Sequence, residues 1–355
     1  MSSFINVDPA NIEKTLCNLY QTTQKIHKTR ASLFNFIVYV EDERKKNYIH
    51  SVLKALSKNF PCRIIYIILD NTTPFPTTSV SLINNDNFSC DFIEIKASKD
   101  KSKEIFYLIL PTLIPDLSTY LFWPEDPCKK NELFFSLKSL SSKVIFDSEE
   151  VDALDKYIDF IFNFQKENKQ HVVDLNWSRI TPWRTILAFD FNSEKRIDFI
   201  KNCSQIDIHY NASKDPYFCK LKIRSLFLQA WLASKLEWQF SKIEKIENDI
   251  LLISYLKDIK IRLIPKYFEK LTPGSISQID ISSKNNNLQF IRNVDDNIEE
   301  VNAVMSSHQK CKMPIRYLLE PTFYGASLAR EIYNLKESTQ YTKMLQILKK
   351  MPVLC

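Results

Sequence analysis

The sequence predicts an α/β protein: an N-terminal, mainly parallel sheet flanked by helices, followed by a C-terminal α+β domain with antiparallel strands. Three observations carry this. Continuous apolar runs such as Leu33 to Val40 (LFNFIVYV) and Arg63 to Leu69 (RIIYIIL) read as strands buried on both faces, the pattern of parallel sheets. Segments with helical spacing alternate with them. In the second half, neighbouring strand signals at 249–256 and 259–265 read as a hairpin instead. The expected organisation is an N-terminal domain over 1–170 and a C-terminal domain over 171–355.

Taken in order, residues 10–30 read as helical, and the run to Val40 as the first strand. Glu41 to Asn59 has helical spacing, with Tyr48, Val52, Ala55 and Leu56 on one side. Strands are expected at 63–69, at 88–97, at 119–123 (TYLFW) and at 143–146, with a helix over 103–113. A long helix over 149–168 is expected to join the halves, and Glu149 and Glu150 at its start suit the helix dipole. In the second half, Thr181 is expected to cap a helix and Pro182 to occupy its first position. A strand at 205–211 and a long helix over 216–238 follow, the latter with Leu221, Leu228, Trp231, Leu232 and Leu236 as its stripe. Short strands are expected at 276–282 and 288–292, an acidic solvated loop at 295–300, and helices from about 322.

Composition excludes several functions. The 355 residues contain two glycines, Gly274 and Gly325, where about twenty-five would be usual. Neither the glycine-rich dinucleotide fingerprint nor the P-loop can be written with two, so no conventional NAD, FAD or ATP site is expected. The net charge is +6, and the basic residues are scattered rather than gathered in a stripe, which argues against a nucleic-acid surface. No apolar run is long enough to span a membrane. The eight cysteines, at 17, 62, 90, 128, 203, 219, 311 and 355, lie sixteen or more residues apart. CxxC metal and redox spacings are therefore absent. The N-terminus has no secretory pattern, so reduced thiols in a cytoplasmic protein are the expectation.

The five histidines, 27, 50, 171, 209 and 308, stand apart from one another and form no metal-ligand motif, and no GxSxG string marks a catalytic serine. Two segments remain. Asp174 to Asp190 (DLNWSRITPWRTILAFD) places Trp177, Arg179, Trp183 and Arg184 around one helix entry, and Trp and Arg are the side chains most enriched at binding hot spots. Pro111 to Pro127 carries four prolines around a strand, with Asp116 before it and Trp123 at its end. Rigid presentation suits an interface. Each segment also has a purely internal reading: a stiff loop closing a sheet edge, or packing anchors with arginines stacked on indoles. Both readings can hold together.

Several blocks, in order, resemble the OpcA family of glucose-6-phosphate dehydrogenase assembly proteins. They are Arg30 to Val40 followed by Pro61 to Ile65, the LIPDL and FWPEDP pieces of Leu110 to Pro127, SKVIFDS at 142–148, DLNWSRITPWR at 174–184, and AWLASKLEW at 230–238. In the last block the family usually writes glycine near Gln229-Ala230 or Glu237. The likeness runs over roughly residues 30–240. It implies a non-catalytic partner, without cofactor or metal, that binds glucose-6-phosphate dehydrogenase and promotes its active oligomer. Some members are held to be redox-controlled through cysteines in their C-terminal part, where this chain has Cys311 and Cys355. Trp177, Arg179, Trp183 and Arg184, with Asp116 and Trp123, are the expected contact residues. The alternative is a sugar-phosphate-binding enzyme of the same pathway that uses the arginines near a sheet edge.

Overall fold

The computed structural model describes residues 4–23, 29–70, 72, 74–84, 88–168, 170–212, 220–284, 286–295, 298–307, 313–319, 325–334 and 338–352. His27, His308, Cys219, Cys311, Cys355, Asp296 and the predicted helix start at 216–219 lie outside them. The chain forms two compact units. The first comprises Met1–Asp152, Asp159–Leu175 and Phe323–Glu337, and the second Ala153–Ile158, Asn176–Thr322 and Ser338–Cys355.

The first unit contains β1 (Ile5–Asn6), α1 (Ile12–Thr23), β2 (Thr29–Arg30), β3 (Asn35–Val40), α2 (Glu43–Leu56), β4 (Arg63–Leu69), β5 (Thr77–Asn84), β6 (Phe88–Ala97), α3 (Ser102–Ile109), β7 (Thr119–Trp123), α4 (Glu132–Leu140), β8 (Lys143–Phe146), α5 (Leu154–Glu167, shared with the second unit) and β9 (His171–Asp174). Its nine-stranded sheet runs β1-β5-β6-β4-β3-β7-β8-β9, with β2 also on β6. The pairs from β6 through β9 are parallel, while β5 pairs β6 antiparallel. Every residue of β3 and β4 is buried, as expected for strands covered on both faces.

Five strands were expected in this sheet, and β1, β2, β5 and β9 are additional. In β5 the run TTSVSLIN hides its strand behind hydroxyl side chains, although Thr78, Ser79 and Ser81 are buried. The stripe of α2 is Ile49, Val52, Leu53 and Leu56; Tyr48 faces solvent. The predicted helix over 149–168 starts later, at Leu154, after a short 3-10 turn over Ser148–Glu150 that Asp147 caps.

The second unit continues with α6 (Leu175–Arg179, of which Leu175 belongs to the first unit), α7 (Thr181–Asp190), α8 (Glu194–Lys201), β10 (Gln205–Asn211), α9 (Ile223–Leu236), β11 (Phe240–Lys245), β12 (Leu251–Tyr255), β13 (Ile259–Lys266), β14 (Ile276–Ser282), β15 (Asn286–Asp295), β16 (Ile298–Ser307) and β17 (Ile315–Leu318). Helix α10 (Ala326–Tyr333) belongs to the first unit and α11 (Thr339–Leu348) to the second. The eight-stranded sheet runs β11-β12-β13-β10-β14-β15-β16-β17, antiparallel except for the parallel pair β10–β13.

The predicted hairpin forms as β12–β13. Lys257 and Asp258 both have positive φ in its turn, the conformation that matches strand twist. The expected acidic loop at 295–300 is corrected. Asp295 ends β15 and Ile298 opens β16, because alternating apolar residues in both segments pair over ten positions. On one side of the sheet, Ile208, Ile253, Ile261, Ile279 and Phe290 are fully buried.

Candidate interaction site

The DLNWSRITPWR block folds as two consecutive helices, α6 and α7, that meet at Ile180. Ile180 is itself right-handed helical, and its N–H donates to Asn176 O at 3.2 Å. The expected capping by Thr181 is therefore corrected. The preceding helix already supplies carbonyls at this corner, and no side chain caps α7. Pro182 does lie in the first turn.

Arg184 organises the corner. Its guanidinium lies 3.5 Å from the Trp177 ring centroid. Its Nη2 donates to Trp177 O at 3.1 Å and to Thr181 Oγ1 at 2.7 Å. Arg179 Nη1 donates to Asn176 Oδ1 at 2.9 Å. Asn176 and Ser178 are fully buried. The Trp177 ring meets Tyr341 of α11, with centroids 5.7 Å apart.

The predicted residues separate into two groups. Trp177 and Trp183 are each 4% exposed and Trp123 is 1% exposed. These three indoles, expected among the contact residues, fill the interior, as in the packing-anchor reading of the same segments. Arg179 and Arg184 are half-buried and Asp116 is exposed. On α7, Phe189 is 64% exposed, and its ring meets Tyr317 edge-on at 6.0 Å. Tyr317 in turn donates to Asp190 Oδ1 at 3.0 Å. Burial, and then the Asp190 charge, push the Tyr317 hydroxyl up to about 12.

Asp116 and Trp123 belong to the first unit. Asp116 has φ of 65° in the turn before β7. Trp123 ends β7 and stacks on Tyr39 of β3, with centroids 3.9 Å apart and planes 6° apart. The strand order reverses between β3 and β7, so their carboxyl ends flank the crevice where doubly wound sheets place ligands. Here the crevice is lined by the chain's own groups. Glu41 N donates to Glu125 Oε1 at 3.2 Å, and Lys45 Nζ bonds Pro124 O, Glu125 and Glu150 at 3.1, 3.2 and 2.7 Å. Two carboxylates thus stand at the β3–α2 turn, where a nucleotide-binding fold would present backbone N–H groups to phosphate. Sequence reading flagged FWPEDP but missed Tyr39, Glu41 and Lys45, whose only signal was their place at the end of an apolar run. Farther along the same carboxyl edge lies a cleft of about 530 Å³, lined by Lys99, Lys101, Lys130, Asn131 and neighbours. Its Lys99 and Lys101 pair with Glu41 and Glu104.

Among the described residues, no three histidine, cysteine or acidic side chains lie together as a metal group, and no helix is long and apolar enough to cross a membrane.

Residues 53–160 match the family described as glucose-6-phosphate dehydrogenase subunit N-terminal domain, and residues 170–319 match its C-terminal domain counterpart. The chain belongs to the OpcA family of glucose-6-phosphate dehydrogenase assembly proteins. It is similar to the OxPP cycle protein OpcA of Synechococcus elongatus, with 26% identity over 247 residues, covering 63% of this chain and 52% of that one. The OpcA of Synechocystis is 28% identical over 155 residues, covering 43% and 31%. The chain therefore spans about a third to a half of the length of the curated relatives it matches. Among solved structures, Gal80p of Kluyveromyces lactis (8% identity, TM-score 0.50, 93% of each chain) is similar in fold alone. So is a super-repressor mutant of Gal80p from Saccharomyces cerevisiae (9% identity, TM-score 0.50, 89% of this chain and 94% of that one).

Proposed function

We propose that this protein is a non-catalytic assembly factor that binds glucose-6-phosphate dehydrogenase and favours its active oligomer, supporting the oxidative pentose phosphate pathway. The observation that carries the reading is the family match across both halves of the chain. The carboxylates at the β3–α2 turn and the Trp123–Tyr39 stack support it, because they disfavour an anionic cofactor where this type of sheet would hold one.

The mechanism is linkage. A protein that binds the active oligomer more tightly than the inactive form shifts the population by that difference alone. A coupling of about 1–3 kcal/mol changes apparent affinity about five- to 150-fold. Within the contact, Arg179 and Asp116 act directly, and Trp177, Trp183 and Trp123 act by holding the surface in shape. Arg184 does both. The test is titration of purified dehydrogenase with wild-type protein and with the Arg179→Ala, Asp116→Ala double variant. Weaker activation by a variant of unchanged melting temperature supports this contact, and undiminished activation rejects it.

A further inference from the structure

We infer that the turn over Ile114–Leu117 is a preorganised contact element, and that its Asp116 carboxylate takes a basic side chain of the dehydrogenase, a lysine or an arginine. The inference rests on the function proposed above. It adds the chemistry of one contact and the residue that positions it, Asn35.

The turn follows a 3-10 segment, Leu110–Thr112, and leads into β7. Pro115 precedes Asp116, whose φ is 65°. Proline at the second position and a positive φ at the third are the marks of a type II turn, whose third residue is usually glycine or asparagine. The other described residues that bear a side chain and have positive φ have local reasons for it. Glu237 ends α9, and Asn248, Asp249, Lys257 and Asp258 lie in the turns joining the antiparallel pairs β11–β12 and β12–β13.

The Ile114–Leu117 turn is held from inside the molecule. Asn35, at the start of β3, is fully buried. Its Oδ1 accepts from Ile114 N at 2.9 Å, and its Nδ2 donates to Ile114 O at 3.1 Å and to Leu117 O at 3.4 Å. One carboxamide thus closes on both ends of the turn. The backbone of Asn35 adds a bond from its N to Ser118 O at 2.9 Å. Just upstream, buried Arg63 donates from Nη1 to Thr112 O at 2.8 Å. Buried polar groups are costly to leave unmet, so these bonds fix the path of the backbone. At the tip, Pro115 and Asp116 are exposed, and Leu113, Ile114 and Leu117 beside them are half-buried.

The charge at that tip is unmatched within the chain. Among the described residues the Asp116 carboxylate makes no hydrogen bond and no ion pair. At the opposite, carboxyl edge of the same sheet, Glu41, Glu125 and Glu150 each pair with a lysine. A fixed carboxylate bordered by aliphatic groups fits an ammonium or guanidinium whose methylene stem lies along apolar surface. The turn is already ordered, so docking there sacrifices little freedom.

The test is titration of the dehydrogenase at about 50 and 200 mM salt with variants that change the charge. Asp116→Asn keeps the shape and suits the turn. It is expected to weaken binding about three- to fivefold at an unchanged melting temperature and to flatten the salt dependence. Asp116→Lys, which opposes like charges, is expected to weaken it about tenfold or more. Asn35→Ala is expected to weaken binding and to abolish the further effect of Asp116→Asn, while Arg179→Ala keeps its full effect in that background. Asn35→Ser gives the same reading should Asn35→Ala not fold. A residue that merely stabilised the fold would leave the Asp116 effect intact, and that result overturns the part given to Asn35. Asp116→Asn and Asp116→Lys proteins that bind like wild type overturn the inference; if Arg179→Ala still weakens binding, the proposed function stands. Wild-type protein that binds no dehydrogenase overturns both.

Discussion

The Arg184 guanidinium lies over Trp177, 3.5 Å from the ring centroid, while its Nη2 ties together Trp177 O and Thr181 Oγ1. One side chain thus locks the α6–α7 corner. Arg184→Lys loses the planar stack and one fork of the hydrogen bonding, and is expected to cost about 1–2 kcal/mol of stability. Arg184→Ala is expected to cost more. Arg179→Ala, by contrast, should leave stability nearly unchanged while weakening dehydrogenase binding. Urea denaturation alongside binding titration separates the two, and equal stability losses at both positions would reject the division of roles.

Lys143, 2% exposed, donates from Nζ to Glu331 O and Asn334 O at 2.7 Å each, at the C-terminal end of α10. Replacing it with Met removes both hydrogen bonds, including the one to the carbonyl of buried Glu331. The expected loss is about 2–3 kcal/mol, read as a lower urea midpoint with unchanged slope. A midpoint equal to wild type would show that water or another group replaces the ammonium.

Asp280 gives a pH prediction. Burial raises its pKa, but the hydrogen bonds from His209, Gln278 and Gln289 together outweigh burial and hold it below the ordinary carboxyl value. A depressed carboxyl stabilises the fold above its unfolded pKa of about 4, and that contribution is lost as pH falls through the folded value. The stability advantage of wild type over Asp280→Asn is therefore expected at pH 6 and should shrink below about pH 4. Denaturation midpoints at pH 6, 4 and 3 check this, and a difference independent of pH contradicts it.

Glu237 ends α9 with φ of 57° and ψ of 34°, a left-handed position that costs a side-chain-bearing residue energy. Glu237→Gly is expected to raise stability by about 0.5–1 kcal/mol, partly offset by the freer unfolded chain. A higher melting temperature by calorimetry is the expected result, and a lower one would mean that the Glu237 side chain makes contacts worth more than the strain.

The parallel core was legible because strands buried on both faces write themselves as unbroken apolar runs, as at Asn35–Val40 and Arg63–Leu69. Thr77–Asn84 was not, since its buried serines and threonines look like loop chemistry. Strand β16 was missed because the acidic pair Glu299-Glu300 reads as solvated, although Glu299 pairs with Arg292 across the hairpin. The return of Ala326–Tyr333 to the first unit has no local signal; Leu328, Ala329 and Ile332 join the core of that unit, and Lys143, some 190 residues earlier, bonds the helix end. Within the DLNWSRITPWR block, sequence could not tell which members are inside. Trp and Arg are both hot-spot residues, and only packing shows that here the arginine covers the indole.

The central claim is that this chain changes the energetics of another enzyme by binding it. The most direct measurement is the saturation curve of purified glucose-6-phosphate dehydrogenase with and without an equimolar amount of this protein, with sedimentation of the mixture. The account predicts a joint, higher-mass species and an apparent substrate affinity raised about five-fold or more. Separate sedimentation of the two proteins with a superimposable curve would contradict it.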